Sequence, residues 1–404
     1  MVEPTSKQRF LDSCHFKRPG DLMVLGEEFH LFWPETLKTW VAQGAPAEIA
    51  PAEADSFSSR GIYESFGLVD VRYLREVLSG LTSSESMHED IHGVSVGSTA
   101  FLTSPAHDLH VLEEDDHSLT FSNAVGGVER ILKQRPGNMP QVLEWPVKDW
   151  ESWNRFQERL DPNSRERWPD DWPAYVETIN SLTCPVGMDV GGFFGYPTQW
   201  MGTERLMYMF YDDPRLVEAM MDRILELELT MVDRVTRDIK VDFVLYWEDM
   251  AYKAGPMISP DMVSRFMVPR YQQLNGLLHS RGIDVMMMDS DGNVEPLIPL
   301  WIDVGINMLW PLEAAAGMDP VKLRREYGKD LILSGGIDKR ALAKDRDAIR
   351  TEIMSKVPFL MEEGGYFPTP DHLVPPDVPY DNFCYYLESL IELSRGVEPA
   401  RADG

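Results

Sequence analysis

The feature that most constrains this chain is a repeating alternation in its second half. Short apolar runs are separated by amphipathic stretches of helical spacing. The runs are Pro185–Val190, Asp242–Trp247, Ile283–Met288, Ile306–Trp310, Leu331–Ser334 and Tyr366–Thr369. Between them lie Arg205–Tyr211, Pro214–Lys240, Pro260–His279, Val294–Trp301, Pro320–Tyr327 and Lys339–Glu362. A strand followed by a helix, repeated, implies an α/β fold whose parallel sheet is covered by helices. Six such units plus one or two N-terminal strands would reach eight, the count of a closed (β/α)8 TIM barrel. An open doubly wound sheet is the rival. No G-x-G-x-x-G follows the first clear strand, which weakens a dinucleotide reading.

A length of 404 residues would also suit two or three domains. The strand series favours one domain over 1–404, with 1–140 an N-terminal elaboration and 141–396 the clearest barrel segment. Within the elaboration, Asp21–Glu28 reads as a short strand and Trp33–Gln43 as a helix entered through Pro34. Phe57–Phe66 reads as loop, and Leu68–Leu81 has the spacing of a helix. The segment from His107 to Val128 reads as an antiparallel β-hairpin insertion closed by a polar turn. Gln134–Pro146 reads as loop, Asp149–Arg159 as helix, and Asp161–Trp172 as a surface connection. The last helix is expected to start at Asp381, as its N-cap, and to stop at Gly396.

The net charge is −28. Such acidity argues against nucleic-acid binding, which needs clustered Lys and Arg. No run of about 18 apolar residues exists, so no membrane span is expected. No apolar leader follows the N-terminal Met, so no secretory signal is visible. Cys14, Cys184 and Cys384 are too widely spaced for a metal knuckle or a disulfide framework. The cytoplasm is the expected compartment.

In a barrel, reactive groups sit where strands end and loops begin. Glu248-Asp249 follows the second run, Asp289-Ser290-Asp291-Gly292-Asn293 the third, Glu313 the fourth, Asp338 the fifth, and Asp371-His372 the sixth. Carboxylates converging on one rim must bind a cation, pair with a base or hold a proton. Some could simply cap helices; for Glu313 and Asp338 that reading stands level with substrate binding. The DSDGN segment is not a calcium loop, because the sixth and twelfth positions are Val294 and Leu300. His372 suits a metal ligand or a general acid. After the first run, Gly191-Gly192-Phe193-Phe194-Gly195-Tyr196 offers glycines for close backbone approach. Phe193, Phe194, Tyr196 and Trp200 form either an aromatic wall for substrate or packing between loop and rim. The histidines His88, His92, His107, His110 and His117 lack H-E-x-x-H spacing.

The ordered series GGFFGYPTQWMGTERLMYMFYDDP, DFVLYWED, GIDVMMMDSDGN, GINMLWPLEAAAGMD, LILSGGIDKRAL and EEGGYFPTPDHLVPPDVPYDNF resembles the uroporphyrinogen decarboxylase superfamily over residues 140 to 395. The resemblance implies a single (β/α)8 barrel. It implies two chemistries. Decarboxylases of the superfamily carry an N-terminal arginine-rich motif that this chain lacks; Arg9, Lys17 and Arg18 do not form it, and Trp200 stands where those enzymes place a tyrosine. The other branch resembles zinc-dependent methyltransferases working with corrinoid proteins. Their ligands, His-x-Cys after one strand and Cys after the last, are replaced here by Asp289-Ser290-Asp291 and His372. The expectation is an enzyme moving a methyl group from a small methoxylated or methylated substrate to a corrinoid carried by a separate protein. Zn²⁺ would be held by some of Glu248, Asp289, Asp291 and His372, and those four are the candidate catalytic residues. A D-x-H-x-x-G corrinoid-carrier motif is absent. Two alternatives stay open: a cofactor-free decarboxylase in which His372 delivers a proton, and a non-catalytic ligand-binding barrel. The oligomeric state is open, a homodimer included.

Overall fold

A computed structural model describes residues 4–25, 32–49, 72–74, 88–91, 94–97, 102–133 and 140–399. The six apolar runs all become strands, because each is buried on both faces. They join one more strand in a parallel sheet: β1 (Arg72–Tyr73), β2 (Val186–Val190), β3 (Phe243–Trp247), β4 (Met286–Asp289), β5 (Met308–Trp310), β6 (Ile332–Ser334) and β7 (Tyr366–Phe367). The order is strictly sequential and every pairing is parallel. A doubly wound sheet reverses its strand order at a switch point, and this one does not.

Period-2 alternation sorts the side chains into two cores. Val244, Tyr246, Met286, Met288, Leu309 and Leu333 belong to the large outer core between sheet and helices. Phe243, Leu245, Met287, Met308, Trp310, Ile332 and Phe367 form a separate inner core. Gly187 makes room within it: a Cβ there would lie 2.4 Å from the Phe243 ring. Helix α1 (Ser6–Cys14) reaches into the same inner core, with the Phe10 ring 5.2 Å from Phe243 and 5.6 Å from Phe367. The segment 21–25 flanks β7. Its Leu25 N–H meets Thr369 Oγ1 at 3.4 Å, Met23 and Leu25 join the inner core, and Val24 joins the outer one.

Several local expectations need correction. Within Leu68–Leu81, Arg72–Tyr73 is strand, since its backbone pairs with Val186 and Gly187; the remainder, apart from Leu74, and Phe57–Phe66 fall outside the described residues. The hairpin is part of a four-stranded antiparallel sheet: His110–Glu114, Ser118–Ser122, Val128–Leu132 and Gln141–Glu144. Its last strand lies in a stretch expected to be loop. The connection from Asp161 to Trp172 is not all surface. Arg167 is fully buried there and donates to the carbonyls of Leu102, Arg159 and Asp161. The last helix runs Tyr380–Ser394, so Asp381 lies in its first turn and Pro379 precedes it. Among the described residues, no helix is long and apolar enough to cross a membrane.

Candidate active site at the C-terminal mouth of the sheet

The parallel ladder sets three residues side by side where the strands end. Asp289 pairs with Trp247 on one flank and with Trp310 on the other. Trp310 belongs to the inner core, and Asp289 and Trp247 share its strand parity, but the Trp247 ring packs against Tyr196 of the outer core. Beyond them the loops converge. The backbone N–H of Asp291 donates to Asp249 Oδ1 at 3.3 Å, and His372 Nε2 lies 3.3 Å from Asp291 Oδ2. The His372 ring centroid is 6.4 Å from that of Trp310. Asp249, Asp291 and His372 thus form one cluster contributed by the loops after β3, β4 and β7.

Their charges are interdependent. Burial pushes Asp249 up to about 6 and the neighbouring Asp291 adds to the rise, while the Asp291 N–H, His372 and the Trp247 indole oppose it. Burial alone would lower His372, but the hydrogen bond and charge of Asp291 outweigh it, and the imidazole is held above its ordinary value. His372 Nδ1 accepts the Leu373 N–H at 2.7 Å, which directs the Nε2 proton toward Asp291. Asp249 has φ +43°, a left-handed conformation that Asp tolerates better than most residues.

The other acids hold the rim together. Asp371 is fully buried and accepts the N–H groups of Ala314 (3.0 Å) and Lys339 (2.9 Å), with Lys339 Nζ at 3.5 Å. Glu313 accepts the Gly292 N–H at 2.9 Å and lies 4.0 Å from Lys339 Nζ. Asp338 caps helix Lys339–Leu342 and pairs with Arg340. Burial would raise Asp338, but Arg340 holds it below the usual carboxylate range. The structure gives Glu313 and Asp338 protein partners.

Glu248 is also placed differently from its neighbour. It has the outer parity of Val244 and Tyr246, and it is completely buried. Its oxygens accept the N–H groups of Phe193, Phe194 and Gly195 and the Tyr271 hydroxyl. Burial pushes it up to about 7 despite those four donors. The expected aromatic wall is core packing. Phe193 meets Tyr271 edge-on at 5.2 Å, Phe194 stacks on Phe210, and Trp200 packs between Trp153 and Phe156. Only Tyr196 approaches the mouth, through Trp247 at 5.9 Å. The loop turns its N–H groups onto Glu248, which leaves its rings to the surrounding core.

Sequence reasoning passed over Asp249, Trp247, Trp310 and Glu228. The first three were legible from strand parity. Glu228 lies on helix α2 (Pro214–Asp238), fully buried on the apolar face with Ile224, Leu227 and Met231, and it accepts the Gly191 N–H. Burial pushes it well above the carboxylate range.

The donor set does not fit a zinc ion. A tetrahedral site needs several bare donors converging at about 2 Å. Among the described residues, no group of three or more His, Cys, Asp and Glu is so arranged. Both Glu248 oxygens already accept protein donors, and the His372 ring nitrogens face Leu373 N–H and Asp291. The expected set of Glu248, Asp289, Asp291 and His372 is not assembled as ligands, and no step below runs through a metal.

The sequential parallel sheet, with its acids gathered beyond the strand ends, defines an enzyme-like α/β architecture. The family model for uroporphyrinogen decarboxylase (URO-D) matches residues 132–393, and the chain belongs to that family. A solved structure, "methyltransferase from Methanosarcina mazei", is similar with a TM-score of 0.57 and 17% identity, covering 98% of this chain and 99% of that chain. At that identity the likeness is one of fold. No curated protein matches the chain.

Proposed function

We propose that this protein is a cytosolic enzyme that moves a methyl group from a small methylated or methoxylated compound to a separate corrinoid-bearing protein, on a sheet closed as a (β/α)8 barrel. The observation that carries this reading is the contact of Asp249, Asp291 and His372 beyond the ends of three strands, in a fold shared with a methyltransferase. Methyl transfer from oxygen breaks a C–O bond and leaves charge on the oxygen. His372 Nε2 and Asp291 share a proton at the mouth, and moving that proton from Asp291 to the departing oxygen neutralises the leaving group. The partner's corrinoid supplies the nucleophile that takes the methyl group. Asp249 keeps the pair oriented through the Asp291 N–H.

The mouth also selects by charge. Asp249, Asp289, Asp291, Glu313 and Asp371 gather there, and the nearby Lys339 lies against Asp371 and Glu313. An anionic donor is repelled; a neutral or cationic one is not. Trp247 and Trp310 flank Asp289 on the ladder, and an indole is the ring type that suits methyl or methylammonium groups.

The test is transfer of labelled methyl from ether and methylammonium donors to a purified corrinoid protein. His372→Ala is expected to slow it about 10²–10⁴-fold with little change in donor binding. Carbon dioxide release from a small acid with no corrinoid present would replace this reading with the decarboxylase one. Ligand binding with neither product would replace it with a non-catalytic barrel.

A further inference from the structure

We infer that Glu248 is a positioning residue: its carboxylate fills a nest of three consecutive backbone N–H groups and so sets the bend that carries Asp249 to Asp291. The inference rests on the mouth being the active site, as proposed above. The nest is built by Phe193, Phe194 and Gly195, whose N–H groups reach Glu248 at 3.0, 2.7 and 3.1 Å. The Tyr271 hydroxyl completes it at 2.6 Å. Successive backbone amides around an anion are a general way of holding phosphates and carboxylates. Here the anion is the protein's own side chain, sealed from solvent.

The bend is anchored on both sides. The Glu248 N–H donates to the Asp289 carbonyl at 3.0 Å, and the Met250 N–H donates to Ser290 Oγ at 3.1 Å. Between these anchors Asp249 adopts its positive φ. Such a conformation persists only where its surroundings over-determine it. Glu248 supplies the missing constraint. Its side chain is drawn back into the outer core, so the next residue turns forward to the mouth, where Asp249 Oδ1 accepts the Asp291 N–H. Glu228 gives the loop a second tether at Gly191. A strand and a long helix thereby fix the glycine loop through two buried carboxyl groups. A general acid or a metal ligand needs an oxygen open to its target, and both Glu248 oxygens accept protein donors.

Glu248→Ala leaves three inward N–H groups around a space of carboxylate size, and formate is the probe. The variant's melting temperature is expected to rise saturably with formate and not with chloride at equal ionic strength, while the wild type does not respond. The ¹⁵N shifts of the His372 ring report the mouth. They are expected to move in Glu248→Ala and to return with formate. A folded variant that ignores formate overturns the nest. A melting temperature restored by formate while His372 never moves overturns the positioning role. If Glu248→Ala does not fold, Glu248→Gln decides, because its amide sets donors against donors. Hydrogen exchange at the Phe193–Gly195 amides should quicken about tenfold or more, with a shifted His372 signature; unchanged exchange and signature overturn the inference. None of these three readouts uses methyl transfer. A wrong reaction assignment would show instead as a normal His372 response with no turnover.

Discussion

His372 and Asp249 sit within one cluster and are both displaced upward, so their protons couple to stability with the same sign. An unfolded carboxyl titrates near 3.9, and Asp249 in the fold titrates at about 6. Between those values the native state holds a proton that the unfolded chain lacks. The contribution is complete below about pH 4 and is lost as pH rises through 6. His372 behaves likewise one window higher: its contribution is complete below about 6.5 and fades as pH passes its raised value. Urea unfolding from pH 4 to 8 should show stability falling across both windows, with Glu248, raised to about 7, and Glu228, raised well above the carboxylate range, adding to the same fall. Asp249→Asn should flatten the lower part of that fall, and His372→Ala the upper part. A fall that keeps its shape in both variants would mean other groups drive it. Parity explains what was legible at this scale. Phe243 and Leu245 alternate inward and Val244 and Tyr246 outward, so Glu248 has the outward parity. That signal stands in the sequence, where Glu248 and Asp249 are adjacent acids that parity alone tells apart.

At the scale of elements, the six apolar runs were plain because each strand is buried on both faces and reads as a continuous apolar stretch. Helix α1 was not plain. Its sequence, SKQRFLDSC, offers few apolar positions, yet Phe10 enters the inner core. Phe10→Ala is expected to cost about 3–5 kcal/mol, because the rings of Phe243 and Phe367 cannot collapse onto the space it leaves. Equilibrium denaturation measures this, and a loss below about 1 kcal/mol would mean α1 merely covers the inner core. The rim loops depend on Asp371 in the same way. It joins the loop after β5 to the helix after β6, and its removal strands Lys339 and two N–H groups. Asp371→Ala should destabilise by about 3 kcal/mol and Asp371→Asn by less, since the amide keeps an acceptor.

For the whole molecule, the charge of −28 acts on stability. At low ionic strength the acids repel one another across the compact state. Raising salt to about 0.15 M shortens the screening length to about 8 Å. The melting temperature should therefore climb with sodium chloride, and calorimetry at a few salt concentrations checks it. A flat response would mean that ion pairs already neutralise the surface locally. The family match over 132–393 takes in all but the first strand of the parallel sheet, while most of the four-stranded antiparallel sheet precedes it.

The sequence by itself determined the strand series, its parallel character, the family and the gathering of acids at strand ends. Those are properties of local order: period, length and the residue that follows each run. Which acids meet was decided only in three dimensions. Asp249, Asp291 and His372 come from loops up to 123 positions apart in the chain, and ladder register brings them together. Glu248, Glu313, Asp338 and Asp371 look the same in the sequence, yet each finds backbone N–H groups or a basic partner of its own. A carboxylate's role depends on the donors around it, and those donors belong to other parts of the chain.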